Sequence, residues 1–171
     1  MKHFLLTLLL LTSSFASITT INSFEADFVQ SITDEKNKVL TYSGHITAMK
    51  PQYAKWNYTS PVLKDVYIND FKVTIVEPEI EQVIIKKLES NFEFFKMIQN
   101  AKKVSQNTYE ANYKKSKFTI KEINNIIQSI SYIDEFENNV KVAFKNQKQN
   151  QDLQLRVFAP HFPLYYDIIR D

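Results

Sequence analysis

Gly44 is the only glycine among 171 residues, and this scarcity narrows the folds open to the chain. Phosphate-cradling loops and dinucleotide-binding turns need several glycines, so both are excluded. Tight turns must take their left-handed residues from Asn and Asp, the L-residues that adopt that conformation most readily. Asn69-Asp70, Asn124-Asn125 and Asn138-Asn139 are the places where such turns are expected.

The segments between these turns are short. Ala54, Trp56 and Tyr58 alternate with Tyr53, Lys55 and Asn57, a period of two that puts the first three on one face of a strand. Thr41 to Ala48 predicts a strand stopped by Lys50-Pro51, and Pro61 ends the run that follows. Val66 to Ile68 and Val73 to Val76, on either side of Asn69-Asp70, predict a hairpin. Glu77-Pro78-Glu79 predicts a turn before a strand over 82–87. Further strands are expected over 108–113, 117–123, 126–133, 141–146 and 154–158, with a last edge strand over 165–169.

Two stretches carry helical spacing. Ile21, Phe24 and Phe28 fall three and four apart, which predicts a short helix running into Gln30. Leu88, Phe92, Phe95 and Ile98 do the same, with Phe94 and Met97 widening the stripe, and predict a helix over 88–101. That helix either faces a core or forms an apolar lid. Two helices and nine or ten strands make an α+β protein dominated by an antiparallel sheet.

Residues 1–16 have the layout of a secretory signal peptide: Lys2-His3, an apolar run from Phe4 to Leu11, and a small-residue exit at Ser14-Phe15-Ala16. The run falls short of the ~20 residues of a membrane span. Its removal leaves one domain, 17–171, and lowers the net charge from +2 to +1 because Lys2 is lost. That charge is too small to predict nucleic acid as a partner. There is no cysteine, hence no disulfide, and an exported chain without one fits a periplasm.

Catalytic patterns are lacking in the sequence. His45 and His161 are isolated and form no metal-binding motif, no nucleophile elbow occurs, and the acidic residues are scattered. No cofactor and no enzymatic activity are expected. The 13 Phe and 9 Tyr either fill a closed barrel or line a cavity, and an apolar cavity would take an apolar ligand.

Ser23-Phe24-Glu25-Ala26-Asp27-Phe28-Val29-Gln30 resembles the S-F-x-A-x-F-x-Q entry of the LolA family of outer-membrane lipoprotein carriers. Tyr42-Ser43-Gly44, Lys50-Pro51, Trp56-Asn57-Tyr58 and Pro61 follow in that family's order, as do Tyr67 to Asp70 and Val73 to Gln82. Phe158-Ala159-Pro160 is a weaker match to its closing F-x-P. The resemblance implies an incomplete antiparallel β-barrel, a strongly curved sheet, with helices covering the open side. It also implies a monomeric periplasmic carrier whose interior holds acyl chains, loaded by an inner-membrane ABC transporter and unloaded at the outer membrane, often through a receptor. On that basis Phe24, Phe28, Ala54, Trp56, Tyr58, Phe92, Phe95 and Ile98 are the expected acyl-chain cavity. Lys50 is the expected lid latch, standing where the family commonly has Arg. Lys keeps that charge without the planar fork. Asn69-Asp70 replaces a D-G turn, and Ala54 an aromatic. Rival functions are a lipid sensor or glycolipid carrier on the same barrel, and a holdase for outer-membrane proteins.

Overall fold

The computed structural model describes residues 18–69, 71–87, 94–113 and 116–170. The expected signal peptide, Leu88 and Phe92 lie outside the described residues. Strands β1 (Ser23–Thr33), β2 (Val39–Met49), β3 (Tyr53–Ser60), β4 (Lys64–Asn69), β5 (Lys72–Glu77) and β6 (Gln82–Lys87) precede helix α1 (Phe94–Gln99). Strands β7 (Lys102–Ser105), β8 (Thr108–Tyr113), β9 (Ser116–Ile123), β10 (Ile126–Ile133), β11 (Asn139–Gln149) and β12 (Asp167–Arg170) follow it. All twelve form one sheet in the order β12-β6-β5-β4-β3-β2-β1-β11-β10-β9-β8-β7. Every pairing is antiparallel except β12 with β6. The two edge strands do not meet, so the sheet is large, curved and open. Among the described residues no helix is long and apolar enough to cross a membrane.

The expected helix into Gln30 is instead the strand β1. Phe24, Ala26 and Phe28 are buried, while Asp27 and Val29, which alternate with them, are exposed. A spacing of four satisfies both a helix and a strand, and the small core residue Ala26 decides for the strand. The segment expected as a strand over 154–158 is a 3₁₀ turn, Leu155–Phe158. Only its Phe158 is buried, against Tyr53 with ring centroids 5.6 Å apart. Strand β7 was not expected, because all four of its residues are exposed and carry no pattern. The helix expected over 88–101 is observed over 94–99.

Turns follow the glycine shortage. Seven described residues other than glycine have positive φ, and five are Asn: Asn37, Asn124, Asn125, Asn146 and Asn150. The β9–β10 turn uses Asn124 and Asn125 as expected. The β10–β11 turn does not use Asn138 and Asn139; its left-handed residue is Glu137. There the Asp134 carboxylate accepts bonds from the backbone N–H of Phe136 and Asn138, 2.9 Å each, and from Asn138 Nδ2 at 3.0 Å. The β1–β2 turn repeats the device, Asp34 accepting from Lys36 and Lys38 with Asn37 left-handed. A carboxylate that binds the backbone two and four residues on thus does what a D-G pair does elsewhere. Gly44 itself is not in a left-handed conformation. It is needed for close approach, since a Cβ there would lie 2.0 Å from the Asn57 carbonyl oxygen.

The main core covers one face of the sheet, and Phe24, Ile46, Phe118, Ile120, Ile130, Val142 and Phe144 belong to it. On the opposite face of β4–β6, Tyr67, Val76 and Val83 form a smaller core with Phe162, Tyr166 and Ile168 of the C-terminal arm.

Candidate functional site: the inner apolar face

Register places the inner-face residues of β1 to β4 in three rows. Phe24, Ala48, Ala54 and Ile68 form the first; Ala26, Ile46, Trp56 and Val66 the second; Phe28, Gly44, Tyr58 and Lys64 the third. Alternation along each strand keeps all three rows on one face.

The first row is the floor of a packed half. Its two alanines leave room above β2 and β3, and α1 comes down there. Phe94, Phe95, Met97 and Ile98 are all buried. The Phe94 ring meets Phe24 in a tilted contact at 5.3 Å and Phe95 edge-on at 5.3 Å. The seam between α1 and the β3–β4 wall, lined by Ala54, Ile68, Phe94 and Phe95 among others, retains only about 10 Å³. The helix also touches β8 and the 3₁₀ turn Ile18–Thr20.

The second and third rows border a hollow half. A cavity of about 190 Å³ lies between Gln30, Trp56, Tyr58, Val66, Ile68, Ile130, Tyr132, Val142 and Phe144. Strands β4 and β10 both line it although they stand five strand spacings apart in the sheet. Laid flat, that is about 24 Å, so the sheet must curl for both to reach one hollow. Among the described residues no lining side chain is charged.

Aromatic contacts order this half. The Phe28 ring meets Trp56 at 5.0 Å and Tyr58 at 5.1 Å, both edge-on, the geometry that ring quadrupoles favour. The Tyr58 hydroxyl donates to Gln30 Oε1 at 3.2 Å. Burial pushes the Tyr58 phenol up to about 12, and the neighbouring Tyr132 and Tyr42 phenols push the same way. Burial raises Tyr132 too, followed by the Asp134 charge. Both phenols are therefore neutral donors throughout the physiological range. Lys64 Nζ caps the Tyr58 ring at 4.8 Å.

Of the residues expected from sequence, Trp56 and Tyr58 stand in the hollow half. Phe24, Ala54, Phe95 and Ile98 stand in the packed half, and Phe28 joins the two; it lies on β1 with Phe24, not on a helix. Lys50 sits beside α1: its Nζ is 5.9 Å from the Phe95 ring centroid and 3.0 Å from Asn22 Oδ1. Gln30, Val66, Ile68, Ile130, Tyr132, Val142 and Phe144 were not among the expected cavity residues. The period of two in 126–133 and 139–146 marks the inward positions of β10 and β11 (Gln30 lies in the matched S-F-x-A-x-F-x-Q segment). Which inward positions meet a cavity depends on the curl, which no local pattern encodes.

The outer face is polar along the same register. Asp27, His45, Asn57 and Asp65 are successive partners across β1 to β4. His45 Nδ1 lies 2.9 Å from Asp27 Oδ1, and Asn146 Nδ2 donates to Asp27 Oδ2 at 2.7 Å. These two hydrogen bonds, His45 first, hold the Asp27 carboxyl below its usual range.

A single open sheet curled round an aromatic-walled hollow, with no charged side chain among the described residues that line it, defines the class: a half-barrel with a largely apolar inner face. Residues 19–122 match the family model described as "Outer membrane lipoprotein carrier protein LolA". The outer-membrane lipoprotein carrier protein of Campylobacter jejuni is 38% identical over 169 residues, covering 99% of each chain. That of Wolinella succinogenes is 33% identical over 144 residues, covering 84% of each. Among solved structures, a LolA superfamily protein from Nitrosomonas europaea aligns with a TM-score of 0.52 at 9% identity, over 82% of this chain and 91% of that one. An uncharacterized conserved protein from Thermus thermophilus aligns with a TM-score of 0.55 at 9% identity, over 90% and 93%; at such identity these two speak for the fold alone. The chain belongs to the LolA family of outer-membrane lipoprotein carrier proteins.

Proposed function

We propose that the inner face binds the acyl chains of lipoproteins in the periplasm, and that α1 is the lid over it. The observation that carries this reading is the continuity of packed and hollow halves on one face. The hollow of about 190 Å³ is smaller than the roughly 300–1,000 Å³ of ordinary small-molecule sites. Whole acyl chains need the volume that Phe94, Phe95, Met97 and Ile98 occupy. Each methylene moved from water gains about 0.8 kcal/mol. A site open along its full length would therefore hold its cargo too tightly to release it. A helix that must be displaced first subtracts its own packing from that gain, because a ligand shifts the open and closed forms only by its differential affinity for them.

Loading is then uphill and calls for an energised inner-membrane transporter of the ABC type; delivery to the outer membrane, with or without a receptor there, runs downhill. Lys50 is the latch in this scheme, holding Phe95 by a cation–π contact near the ~6 Å limit. The residues assigned to the acyl site are Phe24, Phe28, Ala54, Trp56 and Tyr58, joined by Val66, Ile68, Ile130, Val142 and Phe144, while Phe95 and Ile98 belong to the lid. We assign no catalytic residue, and the carrier acts as a monomer.

The test is native mass spectrometry of the protein recovered from a periplasm in which a lipoprotein and its releasing transporter are co-expressed. A one-to-one adduct at the mass of the acylated lipoprotein, lost when its lipidated cysteine is replaced, is the expected result. Free lipid alone, or no adduct, contradicts it.

A further inference from the structure

We propose that Gln30, Tyr58 and Tyr132 form a carbonyl-reading subsite that recognises the ester or amide linkage of an acyl chain, so that the protein distinguishes acyl from alkyl lipids. This inference rests on the acyl-carrier reading above. Among the described residues, these three are the lining positions of the hollow with hydroxyl or amide groups, apart from the Trp56 indole; the others are aliphatic or Phe.

They come from β1, β3 and β10, and the curl brings them to one space. On β1 and β11, Gln30 is the partner of Val142, which in turn pairs with Ile130 on β10. Tyr132 is the next inward residue after Ile130. Tyr58 stands on the other flank. Its phenol is close enough to Tyr132 for charge there to disfavour its own ionisation. The Tyr58 hydroxyl donates to Gln30 Oε1 at 3.2 Å, which fixes the amide plane and turns the Gln30 NH₂ to donate elsewhere.

The chemistry suits an uncharged acceptor. An alkyl chain needs no polar partner. An acyl chain ends in a carbonyl, which must find a donor once it leaves water, since an unsatisfied buried acceptor is strongly disfavoured. The neutral Tyr132 phenol and the Gln30 carboxamide supply donors without a charge to desolvate, while Tyr58, whose one proton goes to Gln30 Oε1, orients that amide. A phosphate or carboxylate would find no cation among the described lining residues; Lys64 stacks on the Tyr58 ring at the rim instead.

The experiment compares two uncharged probes on the purified protein, dihexanoylglycerol and its dihexyl ether analogue, by calorimetric titration. The ester is expected to bind on the order of tenfold more tightly, the ratio that one or two hydrogen bonds supply. In Tyr132→Phe and Gln30→Met the ratio should fall toward one while ether binding is retained, which also shows that each variant is folded. Equal binding of ester and ether to the unaltered protein overturns the subsite and leaves the carrier reading intact. No binding of either probe overturns the subsite too, and the carrier reading is then decided by the lipoprotein adduct formed with the transporter present.

Discussion

The packed and hollow halves of the inner face are built from the same strands and nearly the same residue types, yet one is filled and the other is not. Phe24 is fully buried, boxed by Phe94 at 5.3 Å and Phe144 at 5.2 Å. Trp56, two residues from Ala54 on the same face, is half-buried and borders a cavity. The difference is not hydrophobicity. Ala48 and Ala54 leave space that a helix can enter, whereas Trp56, Tyr58 and Tyr132 hold the walls of the other half apart. On the proposed reading, α1 is a cover over apolar surface that a carrier exposes on demand.

The largest effect separates the halves by stability. Phe24→Ala should cost about 3–5 kcal/mol, as for a large ring removed from a dense core. Trp56→Ala should cost less than half of that, because its ring already borders a hollow, but it should remove most acyl-probe binding. Urea titration and probe titration of both variants check the pair; equal losses of stability would erase the distinction. Next in size, Phe95→Ala trims the helix and frees space over Ala54. It should lower the melting temperature and raise affinity for a diacyl probe on the order of tenfold. Weakened binding would mean that Phe95 is a wall of the site and not part of its cover.

The hollow half should also be sensitive to alkali. Tyr58 holds its proton up to about pH 12 in the folded protein against 10.0 when unperturbed. A raised folded-state pKa contributes stability that is full below about pH 10 and is lost as pH climbs through about 12. Urea midpoints measured across that window should fall more steeply for the unaltered protein than for Tyr58→Phe. Parallel slopes would argue that Tyr58 is not desolvated. The smallest effect belongs to Lys50. A cation–π contact at a partly exposed site is worth about 0.5–1 kcal/mol, so Lys50→Met should tighten probe binding only about two- to fivefold. A double-mutant cycle with Phe95→Ala should show coupling of that size.

Much of this fold is legible in the sequence because β-strands announce themselves locally. Residues 82–87, 108–113 and 126–133 read directly as strands, each bounded by turn residues and carrying period-two apolar positions. Two misreadings have definite causes. Phe24 and Phe28 are four apart, which both periods allow, and the small side chain of Ala26 marks the period of two only weakly. The 3₁₀ turn at Leu155–Phe158 carries one deeply buried ring among exposed neighbours, so its apolar residues imitate a strand. The candidate site was half legible. Trp56 and Tyr58 follow from alternation, but Ile130, Tyr132, Val142 and Phe144 reach the same cavity only through the curl of strands distant in the sheet. That is a property of twist summed over many residues, and no single segment records it. Lys50 was placed by resemblance, and the contact it makes, with Phe95, is one the sequence could not have ranked above others.

The most direct test of the central claim is hydrogen–deuterium exchange of the protein with and without a dipalmitoylated lipopeptide. If acyl chains take the place of α1, amides over 94–99 should lose protection on binding while those of β1, β3 and β10 gain it. Ligand binding with α1 equally or better protected would contradict the account, since the helix would then be a fixed part of the core and not a cover that yields to cargo.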